Sequence, residues 1–200
     1  MKRKAMIFLF TIICCSAFSA GYRGTYWGEP MTELARQGLL FEMVQDERFV
    51  FMREEARVLG QPANIWYCLT NQKLVGICYT IEDTADSRAQ IENLLNTKKL
   101  KLVKRKKVGY SEEQTKAFRK AIEEKSSNTT PYASLFVEDI INYNKGGGSL
   151  VSDLLSEENV EDSNVEVIKA TYDHTTEVHI LEGFLYGYIQ VAYTETPQDF

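Results

Sequence analysis

The stretch at residues 64–81, NIWYCLTNQKLVGICYTI, constrains the fold more than any other part of the chain. Two apolar runs flank a polar turn at residues 70–73. Ile65, Trp66, Tyr67, Cys68 and Leu69 precede it; Leu74, Val75, Ile77, Cys78, Tyr79 and Ile81 follow it. Each run is too short for an independent helix and is dominated by aromatic and β-branched residues, so the stretch reads as a β-hairpin. Both arms are apolar almost throughout. That predicts a strand pair covered on both faces, or on one face and an edge. It is a core element, not an active site.

A chain of 200 residues can bury a core in one domain. With 44% hydrophobic and 12% aromatic residues, wholesale disorder is excluded. The first nineteen residues read as a signal peptide: Lys2, Arg3 and Lys4 form a basic start, and residues 5–16 are apolar. Ala17 and Ser19 are the small residues that cleavage after Ser19 would use. The alternative is a lipid anchor through Cys15. No other stretch is long and apolar enough for a transmembrane helix.

Losing three leader cations takes the formal net charge from −5 to −8. An acidic mature chain argues against nucleic-acid binding, which needs a positive field. Removal of the leader leaves Cys68 and Cys78. Export permits a disulfide. With a two-residue turn at Asn71 and Gln72, however, Cys68 would lie opposite Val75. Cys78 would then face the other side of the sheet, beyond disulfide reach. A bulge could bring the two onto one face; otherwise they are buried free thiols.

Residues 21–28 alternate ring and small side chains and predict a short strand. Pro30, then Met31, Leu34 and Ala35, predict a helix over 30–37, with Gly38 past its end. Residues 39–81, with short apolar runs at 39–44 and 49–52 and a further segment at 55–59, read as a meander of four or five short antiparallel strands, with a turn at residues 60–62. Asp83 or Thr84 can cap a helix using Ala85, Ile91, Leu94 and Leu95. Further helical patterns lie at 111–122, 130–143 and 150–155, with a glycine break at 146–148. The chain returns to β at 165–172, 177–181 and 184–194. The prediction is one α+β domain over 20–200. Antiparallel meanders would pack with several α-helices inserted at about 84–157, and the C-terminal strands would join the first sheet or form a related second one.

Catalytic signals are sparse. Histidine occurs only as His174 and His179. On the strand at 177–181, Glu177 and His179 share one face, which could make an acid/base pair. Alternation explains them equally as a solvent-facing pair, with Val178 and Ile180 turned inward. There is no zinc spacing, no calcium loop in the acidic run at 153–162, no nucleophile elbow and no phosphate loop at Gly146. No cofactor is implied. Tyr22, Tyr26, Trp27, Tyr186, Tyr188 and Tyr193 could line a groove, but sheet core accounts for them.

The basic run at 98–107 is the strongest anomaly. Lys98, Lys99, Lys101, Lys104, Arg105, Lys106 and Lys107 interleave with Leu100, Leu102 and Val103 in an acidic protein. It could touch an anionic membrane surface or dock on an acidic partner. It could also be a solvated helix end, where cations suit the dipole.

The residues at 23–28, RGTYWG, followed by a short helix and hairpins of the form "aromatic run, polar turn, KL, aromatic run" (Asn71 to Leu74, then Tyr79), resemble a group of uncharacterised exported bacterial proteins. The order of helix then meander is also similar to small outer-membrane assembly lipoproteins and β-lactamase-inhibitor-like domains. That resemblance covers residues 22–81 and implies a binding module. The expected function is therefore a non-enzymatic binding protein of the bacterial envelope, periplasmic or secreted, whose partner is an envelope protein or the membrane surface. The alternatives are a small-ligand carrier, or a hydrolase using His179 and Glu177.

Overall fold

The computed structural model describes residues 24–38, 42–45, 50–97, 100–109, 116, 120, 163, 165–172, 175–185 and 187–195. Among them one antiparallel sheet dominates. Its strands are β1 (Glu42–Gln45), β2 (Val50–Val58), β3 (Gln61–Thr70), β4 (Lys73–Glu82), β5 (Leu100–Val108), β6 (Val165–Tyr172), β7 (Thr176–Leu185) and β8 (Tyr188–Glu195). The spatial order is β1-β2-β3-β4-β8-β7-β6-β5. Two helices accompany it, α1 (Met31–Arg36) and α2 (Ala85–Asn96). The described residues are thus mostly β, with two helices where several were expected. The helical patterns at 111–122, 130–143 and 150–155 lie outside the described residues, save Lys116 and Lys120, which are helical.

The central hairpin is β3–β4. Asn71 and Gln72 form its two-residue turn, both at positive φ (50° and 60°). This is the backbone that matches the right-handed twist of the flanking strands. The preceding hairpin, β2–β3, turns in the same way at Leu59 (φ 49°) and Gly60 (φ 76°). The turn is therefore 59–60 and not 60–62; Pro62 lies inside β3, opposite Arg57. The two short runs expected at 49–52 and 55–59 are one strand, β2.

Ile65, Trp66, Tyr67, Cys68 and Leu69 are all buried, as are Leu74 and Ile77 through Tyr79. The hairpin is covered on both faces. On one face Met52, Ile65, Tyr67, Ile77, Tyr79, Ile180 and Val191 join Trp27, Leu34, Ile91 and Leu95 in a single core. The four last-named residues bring the N-terminal segment, α1 and α2 onto that face.

A bulge between Cys68 and Leu69 changes the expected register: Leu69 pairs with Leu74, but Cys68 pairs with Gly76 and Trp66 with Cys78. Val75 is the extra residue. Cys68 and Cys78 therefore share a face, on a diagonal where Cα atoms sit about 7–8 Å apart, beyond ordinary disulfide span. Both are buried free thiols. Burial raises the Cys78 thiol well above its usual range.

Residues 24–28, the described part of the segment at 21–28, do not form the short strand expected there. Among them, Gly24 and Gly28 sit at φ 87° and 79°, which favours glycine. Tyr26 and Pro30 each sit in an isolated bridge, that of Pro30 with Lys73. Gly28 N–H donates to the Leu74 carbonyl (2.8 Å), and Leu74 N–H donates to that of Glu29 (3.0 Å). Trp27 Nε1–H reaches across the core to Thr176 Oγ1 at 2.9 Å. Buried Glu29 accepts from Tyr26 N–H and from Gln37 Nε2. Gly38 follows α1 at φ 79°, as a helix-ending glycine does.

After β4 the chain crosses the sheet through α2. Thr84 caps this helix, its Oγ1 accepting from Ser87 N–H at 3.1 Å. Thr97 ends it, with ψ at 150° and its own hydroxyl donating to the Leu94 carbonyl. The basic run is therefore not a helix end: from Leu100 to Val108 it is strand β5. Pairing with β6 overrides the local helical reading. Strands β6, β7 and β8 return as a second meander, and β8 closes onto β4 from Gly76–Thr194 to Glu82–Tyr188. The C-terminal strands join the first sheet.

Candidate functional site

Strand β5 ends the sheet on the side opposite β1. Its end residues Leu100 and Val108 are buried, and the residues between them are mostly exposed. Lys101 pairs with Thr171 and Leu102 with Ala170. Then a register shift leaves Val103 unmatched, and Lys104 pairs with Lys169. An edge strand carrying lysines and a bulge resists pairing with another copy of itself, because like charges and a broken ladder oppose it.

The cations of the run are not equivalent. Arg105 turns to the helix side, where its Nε–H donates to Glu166 Oε1 at 2.9 Å and its Nη2 to Glu92 on α2. That contact with Glu92 raises the Arg105 guanidinium above its usual value, and the Glu92 carboxyl is held below the usual carboxylate range. Arg105 thus ties α2 to β5 and β6, and its charge is balanced within the chain. Lys101, Lys104 and Lys107 are exposed and Lys106 is half-buried. Lys104, Lys106 and Lys107 also hold contacts within the chain. Lys98 and Lys99 lie outside the described residues. Leu102 and Val103 are 45% and 55% exposed, and Tyr188 is the other exposed large apolar side chain among the described residues. Two of the three are neighbours, inside the basic strand.

Glu177 and His179 do not face solvent. His179 is 0% and Glu177 7% exposed. The face away from α2 is buried as well, through Phe51, Trp66, Cys68, Ala192 and Thr194. Amphipathic alternation therefore misleads here: both sides of β7 are interior. The register sets Lys169 beside His179, and Thr194 beside Glu177. Lys169 Nζ donates to Glu177 Oε1 at 2.8 Å. Glu177 Oε2 lies 3.8 Å from His179 Nε2, too far for a hydrogen bond, and neither ring nitrogen has a partner among the described residues. Burial, helped by the Lys169 charge, pushes His179 down to about 3. The imidazole is neutral, so the 3.8 Å approach is not an ion pair.

This cluster joins a lysine that the sequence reading missed. The signal was present in VEVIKATY, where Lys169 alternates with Val167 and Thr171 on one side of a strand. Chemically it is an ion pair of half-buried Lys169 with buried Glu177, and a neutral imidazole lies beside it. Among the described residues no set of three His, Cys, Asp or Glu side chains is placed to hold a metal. His174, Tyr22, Tyr186, the glycine break at 146–148 and the acidic run at 153–162 lie outside the described residues. Trp27 and Tyr193 are core; Tyr26 is half-buried.

No protein-family model, no curated protein and no solved structure matches this chain. No described helix is long and apolar enough to cross a membrane.

Proposed function

We propose that the chain is an exported bacterial envelope protein and a non-enzymatic binding module that engages its partner through β5. The observation that carries this reading is a lysine-rich, solvent-exposed strand at the end of the sheet in an acidic chain. An anionic partner is attracted there and repelled over much of the remaining surface, so the charge pattern selects an orientation as well as a partner. The export pattern of the first nineteen residues and the resemblance at residues 22–81 point the same way. The depth of His179 supports binding over hydrolysis, since a general base must reach its substrate.

The test replaces Lys101, Lys104, Lys106 and Lys107 with glutamine and leaves Arg105 in place, because Arg105 holds α2 to the sheet. Cells expressing the variant are fractionated. The expected result is a shift of the chain from the envelope fraction to the soluble one, with an unchanged circular dichroism spectrum. Identical fractionation of variant and parent would overturn the reading.

A further inference from the structure

Strand β5 carries a feature that charge alone does not explain. Lysines account for the charge attraction to an acidic partner; exposed apolar side chains between them act through burial instead. Yet Leu102 and Val103 stand out together at 45% and 55% exposure, between Lys101 and Lys104. The register shift lies at the same place and leaves Val103 without a cross-strand partner. The shift also breaks the outer hydrogen-bonding row, which disfavours an added peptide strand. A short apolar tip flanked by lysines suits one kind of surface. Anionic headgroups meet the ammonium groups while the tip enters the boundary between headgroup and acyl chain.

Resting on the binding-module reading, we infer that the β5 edge is a peripheral membrane contact: Leu102 and Val103 enter an anionic lipid surface, and Lys101 and Lys104 sit at its headgroups. The contact is weak and reversible. Two partly exposed apolar side chains bury little area, and a lysine near an anionic bilayer is worth about five-fold in partition. The rest of the acidic chain is repelled, which keeps the sheet edge-on to the membrane.

The experiment uses the processed chain isolated from its own cell and sedimented with vesicles. One set is pure phosphatidylcholine; the other contains phosphatidylglycerol. Sedimentation with the anionic set alone is expected, lost in molar salt because lysine attraction is screened. Leu102→Ser with Val103→Ser, at sites already open to water, should weaken partition about ten-fold. Lys101→Gln with Lys104→Gln should weaken it about 25-fold, about five-fold for each lysine. Val103→Trp should strengthen it, since an indole ring favours the interface. Equal sedimentation with both sets, no sedimentation with either, or indifference to the double serine variant overturns the lipid contact. If vesicles fail while the lysine-to-glutamine chain still leaves the envelope fraction, the occupant is an acidic protein and the binding-module reading stands. If fractionation is also unchanged, both fall.

Discussion

His179 shows how burial decides what a residue can do. An imidazole with neither nitrogen hydrogen-bonded among the described residues, beside the Lys169 ammonium, resists protonation. Its folded-state value, about 3, lies below the ordinary 6.5. Between those values the unfolded chain holds a proton that the native chain refuses. Stability from this group is therefore complete above pH 6.5, falls as pH drops, and levels off near pH 3. The slope it adds is at most about 1.4 kcal/mol per pH unit, one proton's worth. Urea melts of the parent and of His179→Leu, run from pH 7 to pH 4, check this. The parent should lose stability more steeply than the variant by close to one proton. Parallel slopes would show that the ring is protonated in the native state, and the interior near Lys169 would then have to be more polar than its burial implies.

At the level of elements, the β3–β4 hairpin was legible because its signals agree: β-forming arms, a polar two-residue turn and apolar runs on both faces. One part was hidden. The bulge at Cys68 and Leu69 moves every residue from Cys68 back toward Gln61 by one place against β4, and no residue type announces it. The bulge also explains why Cys68 and Cys78 share a face and still stay apart. The basic run failed for a different reason. Its residues favour a helix locally, and only the partner strand β6, more than fifty residues away in sequence, makes it a strand. The solvent-facing reading of Glu177 and His179 failed because alternation shows which residues share a face, not whether that face is covered. The turn itself supplies a test. Gln72 sits at φ 60°, where a side chain is disfavoured. Gln72→Gly should gain about 0.5–1 kcal/mol, because Asn-Gly is the favoured pair for this turn. The gain would appear as a higher urea midpoint at an unchanged slope. A lower midpoint would mean that the Gln72 side chain makes a contact worth more than the strain it bears.

At the scale of the molecule, two meanders of four strands are joined along β4 and β8. The first is built in chain order, and the second runs back toward it from the far edge after α2 crosses. Pairing Ile77 with Tyr193, or Cys78 with Ala192, therefore closes a loop of over a hundred residues. Pairings of such separation form late and hold only as part of the whole. The centre of the joint is deeply buried: Ile77, Cys78, Tyr79, Ile189, Val191 and Ala192 are all at most 2% exposed. Tyr79 and Tyr193 bring their hydroxyls within 3.5 Å across it. The edges are different in kind, β1 being four residues long and β5 lined with lysines. If the two meanders fold as one cooperative unit, β4 and β8 amides should exchange with solvent hydrogen only through global unfolding, and β1 and β5 amides through smaller openings. Native-state hydrogen exchange in rising denaturant resolves this. The β4 and β8 protection should converge on the free energy of the whole transition, with β5 losing protection first. Protection of β3 and β4 that outlasts that of β8 would show the first meander standing alone, with β8 added as a separable strand.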